Sequence, residues 1–267
     1  MLAQRNGRMG QLLLEVKTVQ AVAFKGVVDA GRELLLDSTI VADESGLKVV
    51  ALDSSHVVLV HLRLDAAKFD TFTCVKPLHI GVNMLKLFTL VKTVTNNDVL
   101  TLFVDEGDPN HLGIRIESPD SKRRTTYMLN MLDVDAVNID IPSVDFTTSI
   151  TMDSGVLLKL VRDMHSHAEK VSISSLDDSI YFKCKGDFCS QETVMGPSSS
   201  LSITSTADSG IVEGVFSLKY LQLFTRCTNL SPTVELFLAN NFPICVRYSV
   251  AGLGDIKLLL APLSNDA

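Results

Sequence analysis

The two halves of this chain carry a similar pattern of residues, placed about half of the 267-residue sequence apart. Residues 87–104 read LFTLVKTVTNNDVLTLFV, and residues 223–239 read LFTRCTNLSPTVELFLA. Both segments have the spacing of a helix end, followed by a polar turn and an alternating strand. A similarity at this period predicts a duplicated fold, in which each half forms one copy of the same arrangement.

Short alternating segments rich in β-branched residues dominate the rest of the chain, and they predict many short strands. These segments cover residues 47–53, 57–64, 99–104, 112–118, 125–132, 170–175, 179–184, 201–206, 233–239 and 244–250. Helical spacing occurs in four segments, at residues 20–36, 83–94, 154–167 and 218–228. The sequence therefore predicts mostly strands, with a few helices between them.

A connector is predicted between the two halves. Residues 131–146, MLDVDAVNIDIPSVDF, alternate weakly and contain four Asp residues and a Pro. This composition is typical of an extended linker rather than of a core element. A second polar stretch, residues 196–210, is rich in Ser, Thr and small residues and predicts a loop.

The composition limits the class of protein. An apolar content of 46% with 21% charged residues is ordinary for a soluble globular protein. The apolar stretches end well before the roughly 20 residues that span a bilayer, and we read no secretion signal at the N-terminus. Five scattered cysteines favour reduced thiols in a cytosolic or nuclear setting. A formal net charge of −7 by itself argues against a nucleic-acid partner.

The stretch ALDSSHVVLV, residues 51–60, raises the possibility of a Ser/His/Asp catalytic centre. Such a centre needs an exposed nucleophile on a sharp turn with oxyanion donors, and no Gly-x-Ser-x-Gly motif occurs. In a strand, Asp53 and Ser55 would share one face while Ser54 and His56 share the other. We interpret these residues as a polar strand start, in which Asp and Ser satisfy backbone groups of a turn. An enzyme using Ser54 and His56 is the weakest reading.

Metal and cofactor motifs give no better support for an enzyme. His165 and His167 lie two apart on a predicted helix and point in different directions. Cys184 and Cys189 lack a second pair of ligands at zinc spacing. The GLGD at residues 252–255 is not a phosphate loop, and the few aromatic residues form no base-stacking platform. We therefore expect no catalytic residue, metal or cofactor.

Basic residues recur on all four predicted helices, mostly at spacings that share a face. They are Lys25 and Arg32 on the first helix, Lys86 and Lys92 at less well aligned positions on the second, Lys159 and Arg162 on the third, and Lys219 and Arg226 on the fourth. Cations that merely solvate exposed faces are the ordinary alternative, and Asp29 shares the face of Lys25 and Arg32. Acids collect instead in the connector and loops, so a locally positive surface is compatible with a negative chain. Its chemistry would be salt-sensitive phosphate contact without sequence preference.

The chain closely resembles the DNA sliding clamps of the proliferating cell nuclear antigen family from about residue 13 to residue 263. The motifs that carry the resemblance are ALDSSHVVLVHLRL (51–64), FDTFTC (69–74), GVNMLKLFTLVK (81–92), DVDAVNIDIP (133–142), VRDM (161–164), LKYLQLFTRCTNLSPTVELFL (218–238) and FPICVRYSVAGLGDIKLLLAP (242–262). Their order and spacing match across the whole chain, although no single motif would be sufficient.

The resemblance implies an α+β DNA-clamp fold with two similar domains, each containing two helices and antiparallel sheets. Its expected parts are an N-terminal extension (1–12), a first domain (13–131), a connector (132–146), a second domain (147–263) and a tail (264–267). Three copies would close head to tail into a ring, through edge strands near residues 123–130 and 182–193. The helices would line the hole, so that Lys25, Arg32, Lys92, Lys159, Arg162, Lys219 and Arg226 face double-stranded DNA.

The resemblance also implies a pocket on the outer face for a short peptide with one aliphatic and two aromatic anchors. Its expected residues are Leu52, His56, Ile139, Ile141, Pro142, Phe242, Pro243, Leu259, Ala261 and Pro262. The alternative is that Leu52 and Leu259 are simply core residues. DNA polymerase and other replication and repair proteins would dock there, and a separate ATP-dependent clamp loader would open the ring.

The implied function is a non-enzymatic processivity factor in the nucleus, or in the host nucleus or viral replication site for a viral chain. The rival is a clamp-fold accessory subunit that acts as a monomer or in a heterotrimer, in checkpoint signalling or with a viral polymerase. Several positions depart from the family: Leu259 replaces an aromatic residue, Thr89 replaces a basic one, and the acidic tail is shortened to SNDA. These departures bear mainly on which partner peptides fit.

Overall fold

The computed structural model describes residues 11–133, 144–176, 178–206 and 210–263. This part of the chain forms eighteen β-strands and four α-helices, with short 3₁₀ helices at Ala66–Lys68 and Thr225–Asn229. The strands of the first half are β1 (Leu12–Thr18), β2 (Asp37–Asp43), β3 (Gly46–Leu52), β4 (Val58–Asp65), β5 (Thr71–Cys74), β6 (Leu78–Asn83), β7 (Val99–Asp105), β8 (Asp108–Ser118) and β9 (Arg123–Asn130). Those of the second half are β10 (Thr148–Asp153), β11 (Lys170–Leu176), β12 (Ser179–Lys185), β13 (Ser190–Met195), β14 (Leu201–Ser205), β15 (Val212–Ser217), β16 (Thr233–Leu238), β17 (Ile244–Val250) and β18 (Gly254–Leu260). The helices are α1 (Ala21–Leu34), α2 (Met84–Val91), α3 (Ser154–His165) and α4 (Leu218–Phe224).

The element order confirms the predicted duplication. Each half runs strand, helix, five strands, helix, three strands. The pairing repeats as well: β1 pairs with β5 and β7, as β10 pairs with β14 and β16. In the same way β2 pairs with β3 and β6, as β11 pairs with β12 and β15. The similarity of residues 87–104 and 223–239 therefore marks two copies of one arrangement.

The strands form three antiparallel sheets. One has the order β5-β1-β7-β8-β9, and a smaller one has the order β13-β12-β11-β15. The third joins the halves: its order is β14-β10-β16-β17-β18-β4-β3-β2-β6, and β4 pairs with β18 across the junction. The last strand of the second half is thus continuous with a sheet of the first half.

The helices form because apolar residues recur at helical spacing, and in α2 and α3 a polar side chain also caps the first turn. In α1 the buried side includes Phe24, Val27, Val28 and Leu34. The Asp153 carboxylate accepts hydrogen bonds from the backbone N–H groups of Gly155 (2.7 Å) and Val156 in α3. Asn83 caps α2 in the same way. No helix of the described residues is long and apolar enough to cross a membrane.

The helix predictions are confirmed in position, but each predicted segment is longer than the helix it contains. Ten of the eighteen strands of the described residues coincide with predicted segments. The eight that were missed are β1, β2, β5, β6, β10, β13, β15 and β18. Of these, β5 has only four residues and β13, SQETVM, has only two apolar ones. The predicted edge segment 123–130 coincides with β9. The segment 182–193 was wrong as an edge strand, because it crosses the β12–β13 hairpin and the strand at the sheet edge is β13.

Candidate nucleic-acid interface

The four helices contact one another in one layer that spans both halves. Helix α1 contacts α2, α3 contacts α4, and α1 also contacts α4 and the 3₁₀ helix at Thr225–Asn229. Their apolar sides are buried in the main core. The basic residues predicted on separate helices can therefore contribute to one surface.

Three of the predicted cations line a single depression on this layer. Arg32 comes from α1, Arg162 from α3 and Arg226 from the 3₁₀ helix after α4. Polar and acidic side chains complete its wall; these are Asp29, Glu33, Gln222, Thr225, Thr228 and Asn229, with Leu158. The depression thus joins cations from both halves in a solvent-accessible place, as an anion site requires.

Arg32 is the most constrained of these cations. Its guanidinium lies 2.7 Å from an Asp29 carboxylate oxygen and 3.2 Å from one of Glu33, and it stacks 4.2 Å from the centre of the Phe88 ring. The neighbouring acids compensate part of its charge, as the shared face of Asp29 led us to expect. Arg226 is exposed and has no ion pair among the described residues, and Arg162 lies only at the 4.0 Å limit from Asp163. Of the three arginines, Arg226 is therefore the one whose charge is least compensated by neighbouring acids.

The remaining predicted cations lie outside this depression. The Lys25 ammonium donates a hydrogen bond of 2.6 Å to the Val94 carbonyl, which ties α1 to the segment after α2. Lys92, Lys159 and Lys219 are exposed. Lys25 has a structural role that the sequence did not indicate, whereas the other three are free to meet an anion.

An apolar row crosses the outer face of the nine-stranded sheet. The ladder places Leu52 opposite Leu59, Leu59 opposite Leu259, Leu259 opposite Cys245, and Cys245 opposite Phe237. Leu59, Cys245 and Leu259 form a small buried cluster of their own, against which Phe237 packs. At one end of the row Leu52 is 39% exposed. The row is an apolar strip with an accessible end, so Leu259 is a buried residue of the strip while Leu52 borders it.

Phe146, at the end of the expected connector, covers the other end of this row. It belongs to the same cluster, and its ring centre lies 5.7 Å from that of Phe237. Phe146, Leu59, Cys245 and Phe237 are site residues that the sequence analysis missed. The available signal was a single apolar residue on the otherwise polar face of each strand: Leu59 precedes His61 in β4, Cys245 precedes Arg247 in β17, and Phe237 follows Glu235 in β16.

Residues 53–57 form a turn between β3 and β4, not the strand start that we expected. Buried Asp53 organises the turn: its carboxylate accepts hydrogen bonds from the N–H groups of Ser55 (3.1 Å), Val57 (2.9 Å) and Val58 (2.8 Å), and from the Ser55 hydroxyl. Burial raises the pKa of Asp53, but these hydrogen bonds outweigh it and hold the pKa below its ordinary value. The interpretation that Asp53 satisfies turn backbone groups is confirmed.

The turn also contacts the second half of the chain. The Ser55 hydroxyl lies 2.7 Å from the Tyr220 hydroxyl of α4, and the Ala261 N–H donates to the Val57 carbonyl. His56 is exposed and has a left-handed backbone, with φ 59°. Within the described residues no hydrogen bond joins His56 to a serine, so the geometry resembles a rim position rather than a catalytic base.

The other predicted pocket residues divide into three groups. Phe242 and Pro262 line a depression beside β15, together with Ile211 and Asn240. Pro243 is half-buried between Phe242 and β17. The expected connector residues Ile139, Ile141 and Pro142 lie outside the described residues. The structure thus brings Leu52, His56, Leu259 and Ala261 to one end of β3, β4 and β18, with Phe242 and Pro262 near the end of the chain.

Comparison with known proteins agrees with this architecture. Residues 13–139 match the family model of the proliferating cell nuclear antigen N-terminal domain, and residues 140–263 match that of its C-terminal domain. A protein named probable DNA polymerase sliding clamp 1, from Paramecium bursaria Chlorella virus 1, is 29% identical over 256 residues, which cover 94% of this chain and 97% of the relative. The proliferating cell nuclear antigen of Chaetomium thermophilum is 33% identical over 261 residues, 95% of this chain and 99% of the relative. The chain therefore belongs to the proliferating cell nuclear antigen family.

Proposed function

We propose that this chain is the subunit of a DNA sliding clamp, a ring that encircles duplex DNA and tethers DNA polymerase as a processivity factor. The observation that carries the proposal is the layer of four helices from two duplicated halves, with Arg32, Arg162 and Arg226 around one depression. The family and the names of the two relatives support it. The clamp acts by topology rather than by catalysis: a closed ring cannot leave the DNA sideways, even when each contact is weak.

The duplication provides a joint through which copies of the chain can close into a ring. Strand β4 of the first half pairs with β18 of the second half inside the chain. The counterpart of β4 in the second half is β13, and the counterpart of β18 in the first half is β9; both lie at sheet edges. A second copy can pair its β13 with the β9 of the first, and this head-to-tail contact repeats until the ring closes. Pairing also removes two exposed edges that would otherwise favour aggregation. We propose a homotrimer on the basis of the family.

The proposed DNA contact is electrostatic. The exposed cations of the helix layer meet phosphates of either strand without reading bases, and these contacts weaken as salt rises. The whole chain has a formal net charge of −7, and its excess of acidic residues disfavours DNA binding elsewhere on the molecule. Weak, interchangeable phosphate contacts allow the ring to slide.

Partners dock, in this proposal, on the apolar row of the outer face and its accessible end at Leu52. A peptide with one aliphatic and two aromatic anchors fits such a strip. Polymerases and repair proteins carry that peptide, and an ATP-dependent clamp loader opens the ring. The expected domains, residues 13–131 and 147–263 joined by a connector at 132–146, belong to this proposal, as does action in the nucleus or at a viral replication site.

The first test is the mass of the assembly in solution. Sedimentation at micromolar concentration should give three times the 29.1 kDa of the chain. A persistent monomer at that concentration would contradict the homotrimer and favour the rival accessory subunit. Co-purification only with unlike subunits would favour a heterotrimer.

A further inference from the structure

The internal duplication defines the register with which two copies of this chain pair. We propose that β9 and β13 of neighbouring copies pair antiparallel with Leu129 directly opposite Cys189, and that the hairpin tip at Phe188 is covered by the neighbour. This inference rests on the proposed ring, and it adds the residues that meet in the joint. The β4–β18 pairing inside the chain is the template for this joint.

The β3–β4 and β12–β13 hairpins identify the residue of the first half that corresponds to Cys189. The last ladder pair before the β3–β4 turn is Leu52 with Leu59, and the last pair before the β12–β13 turn is Lys185 with Ser190. Since these hairpins are counterparts in the duplication, Ser190 corresponds to Leu59. The preceding residue, Cys189, then corresponds to Val58.

The burial patterns of β8 and β17 identify the residue of the second half that corresponds to Leu129. From Leu112 onward β8 shows three buried residues, a half-buried arginine and another buried residue, and β17 shows the same series from Ile244 onward. Leu112 therefore corresponds to Ile244. Leu112 pairs with Leu129, and Ile244 pairs with Leu260. Leu129 is thus the counterpart of Leu260.

The template then sets the intermolecular register. Within the chain, Leu260 lies opposite Val58, so Leu129 of one copy lies opposite Cys189 of the next. The alternation of half-buried and exposed residues along the two edge strands agrees with this register. The half-buried residues of both edge strands alternate with exposed ones, and Leu129 and Cys189 both lie on the half-buried side that faces the core. Both side chains are therefore available for burial by a neighbour.

Leu129 and Cys189 would also form a non-hydrogen-bonded pair, in which the two Cα atoms lie closer together than in a hydrogen-bonded pair. The Ala261 N–H donates to Val57 at 3.1 Å and the Asp65 N–H donates to Leu253 at 2.9 Å, and each bond joins residues directly opposite in the β4–β18 ladder. Hydrogen-bonded pairs alternate with non-hydrogen-bonded pairs, so the pair after Val57 and Ala261 is non-hydrogen-bonded. In such pairs the Cα atoms are about 4.5 Å apart, which lies within the range that a disulfide bridges.

The same template explains the most exposed large apolar side chain of the described residues. Phe188 is 83% exposed at the tip between β12 and β13, with its ring edge against His167. By position it corresponds to Val57, which is half-buried against the main core beside the end of β18. The neighbour's residues after β9 cover Phe188 in the same way. Phe188 is therefore an anchor of the joint between copies.

Cysteine crosslinking tests the register with a thiol that the chain already has. The variant Leu129→Cys should form a disulfide with Cys189 of the neighbouring copy when oxidised glutathione accepts the two electrons and two protons of the thiols. Covalent dimers and trimers should then appear on non-reducing gels. Adding Cys189→Ser should abolish them, and Met128→Cys, on the opposite face of β9, should give none. If Leu129→Cys does not fold, Thr125→Cys with Thr193→Cys in the Cys189→Ser background tests another non-hydrogen-bonded pair on the same face, farther along the two strands.

The outcomes separate the register from the ring. Crosslinking of Met128→Cys but not of Leu129→Cys in a protein of trimeric mass would overturn the register while leaving the ring intact. A wild-type chain that remains monomeric would overturn both. For the anchor, Phe188→Ala should raise the dissociation constant of the trimer at least tenfold, whereas the control Leu36→Ala, at the next most exposed large apolar side chain of the described residues, should leave it unchanged. Equal constants for the two variants would exclude Phe188 from the joint.

Discussion

Replacing Asp53 with Asn should destabilise the protein by about 2–4 kcal/mol at neutral pH, because the buried carboxylate accepts three backbone N–H bonds and one hydroxyl bond. An amide of the same size keeps one acceptor oxygen, but it turns an NH₂ group toward the N–H donors of the turn. At least one buried donor then loses its partner, and hydrogen bonds to a charged group are lost as well. The turn lies between β3 and β4, beside the end of β18. The damage should therefore reach the junction between the halves.

The assay is urea denaturation of both proteins at one fixed protein concentration, because assembly also contributes to apparent stability. The exposed neighbour Ser54 provides the control: Ser54→Ala should change the free energy of unfolding by less than about 0.5 kcal/mol. If Asp53→Asn is no more damaging than Ser54→Ala, the carboxylate does not organise the turn.

The pH dependence of this difference has a defined sign. The pKa of Asp53 is lowered in the folded state, so its stabilisation is present above the ordinary carboxyl pKa and is lost as pH falls through the folded value. The stability difference between wild type and Asp53→Asn should thus be full at neutral pH and shrink at pH values below about 4. A difference that grows on acidification would contradict the assignment.

Three further predictions concern the DNA surface, the peptide surface and the core. Arg226→Glu should weaken equilibrium binding to a short linear duplex and reduce its salt dependence, whereas Lys68→Glu, the same charge change on an exposed residue outside the helix layer, should have little effect on this binding; equal effects would argue against the helix layer as the DNA surface. Leu52→Ala should weaken binding of a polymerase-derived anchor peptide by about tenfold in a fluorescence titration, while the similarly exposed Val75→Ala should not; unchanged binding to Leu52→Ala would move the docking site elsewhere. Burial raises the pKa of Cys227 to about 12, so this thiol should resist alkylation until urea unfolds the chain, and rapid labelling of the native protein would contradict its burial.

Local sequence patterns were sufficient to predict features that depend on one segment of the chain at a time. The four helices follow from apolar spacing, and the duplication follows from two matching helix–turn–strand segments. The role of Asp53 also followed from the sequence, because an acid followed by serines satisfies nearby N–H groups wherever the chain turns. The exact geometry did not follow: residues 53–57 form a turn, since β3 ends at Leu52.

Long-range pairing could not be read in the same way. The pairing of β4 with β18 joins residues about 200 positions apart in the two halves of the chain, and only this pairing places Leu59 beside Leu259 and completes the apolar row. Lys25 was predicted as a DNA-facing cation, but the proximity of Val94 directs its ammonium to a carbonyl, a contact between separate elements. Strand β13 was misplaced because its polar residues lack the alternation that marks a half-buried strand, as suits an edge awaiting a partner.

Retention on circular DNA tests the central claim, that the chain encircles the duplex, most directly. The loaded protein should remain on a nicked circular plasmid through a wash at high salt, which removes electrostatic contacts, and should be released when a restriction enzyme cuts the circle. Loss from the intact circle at the same rate as from the linear form would contradict encirclement.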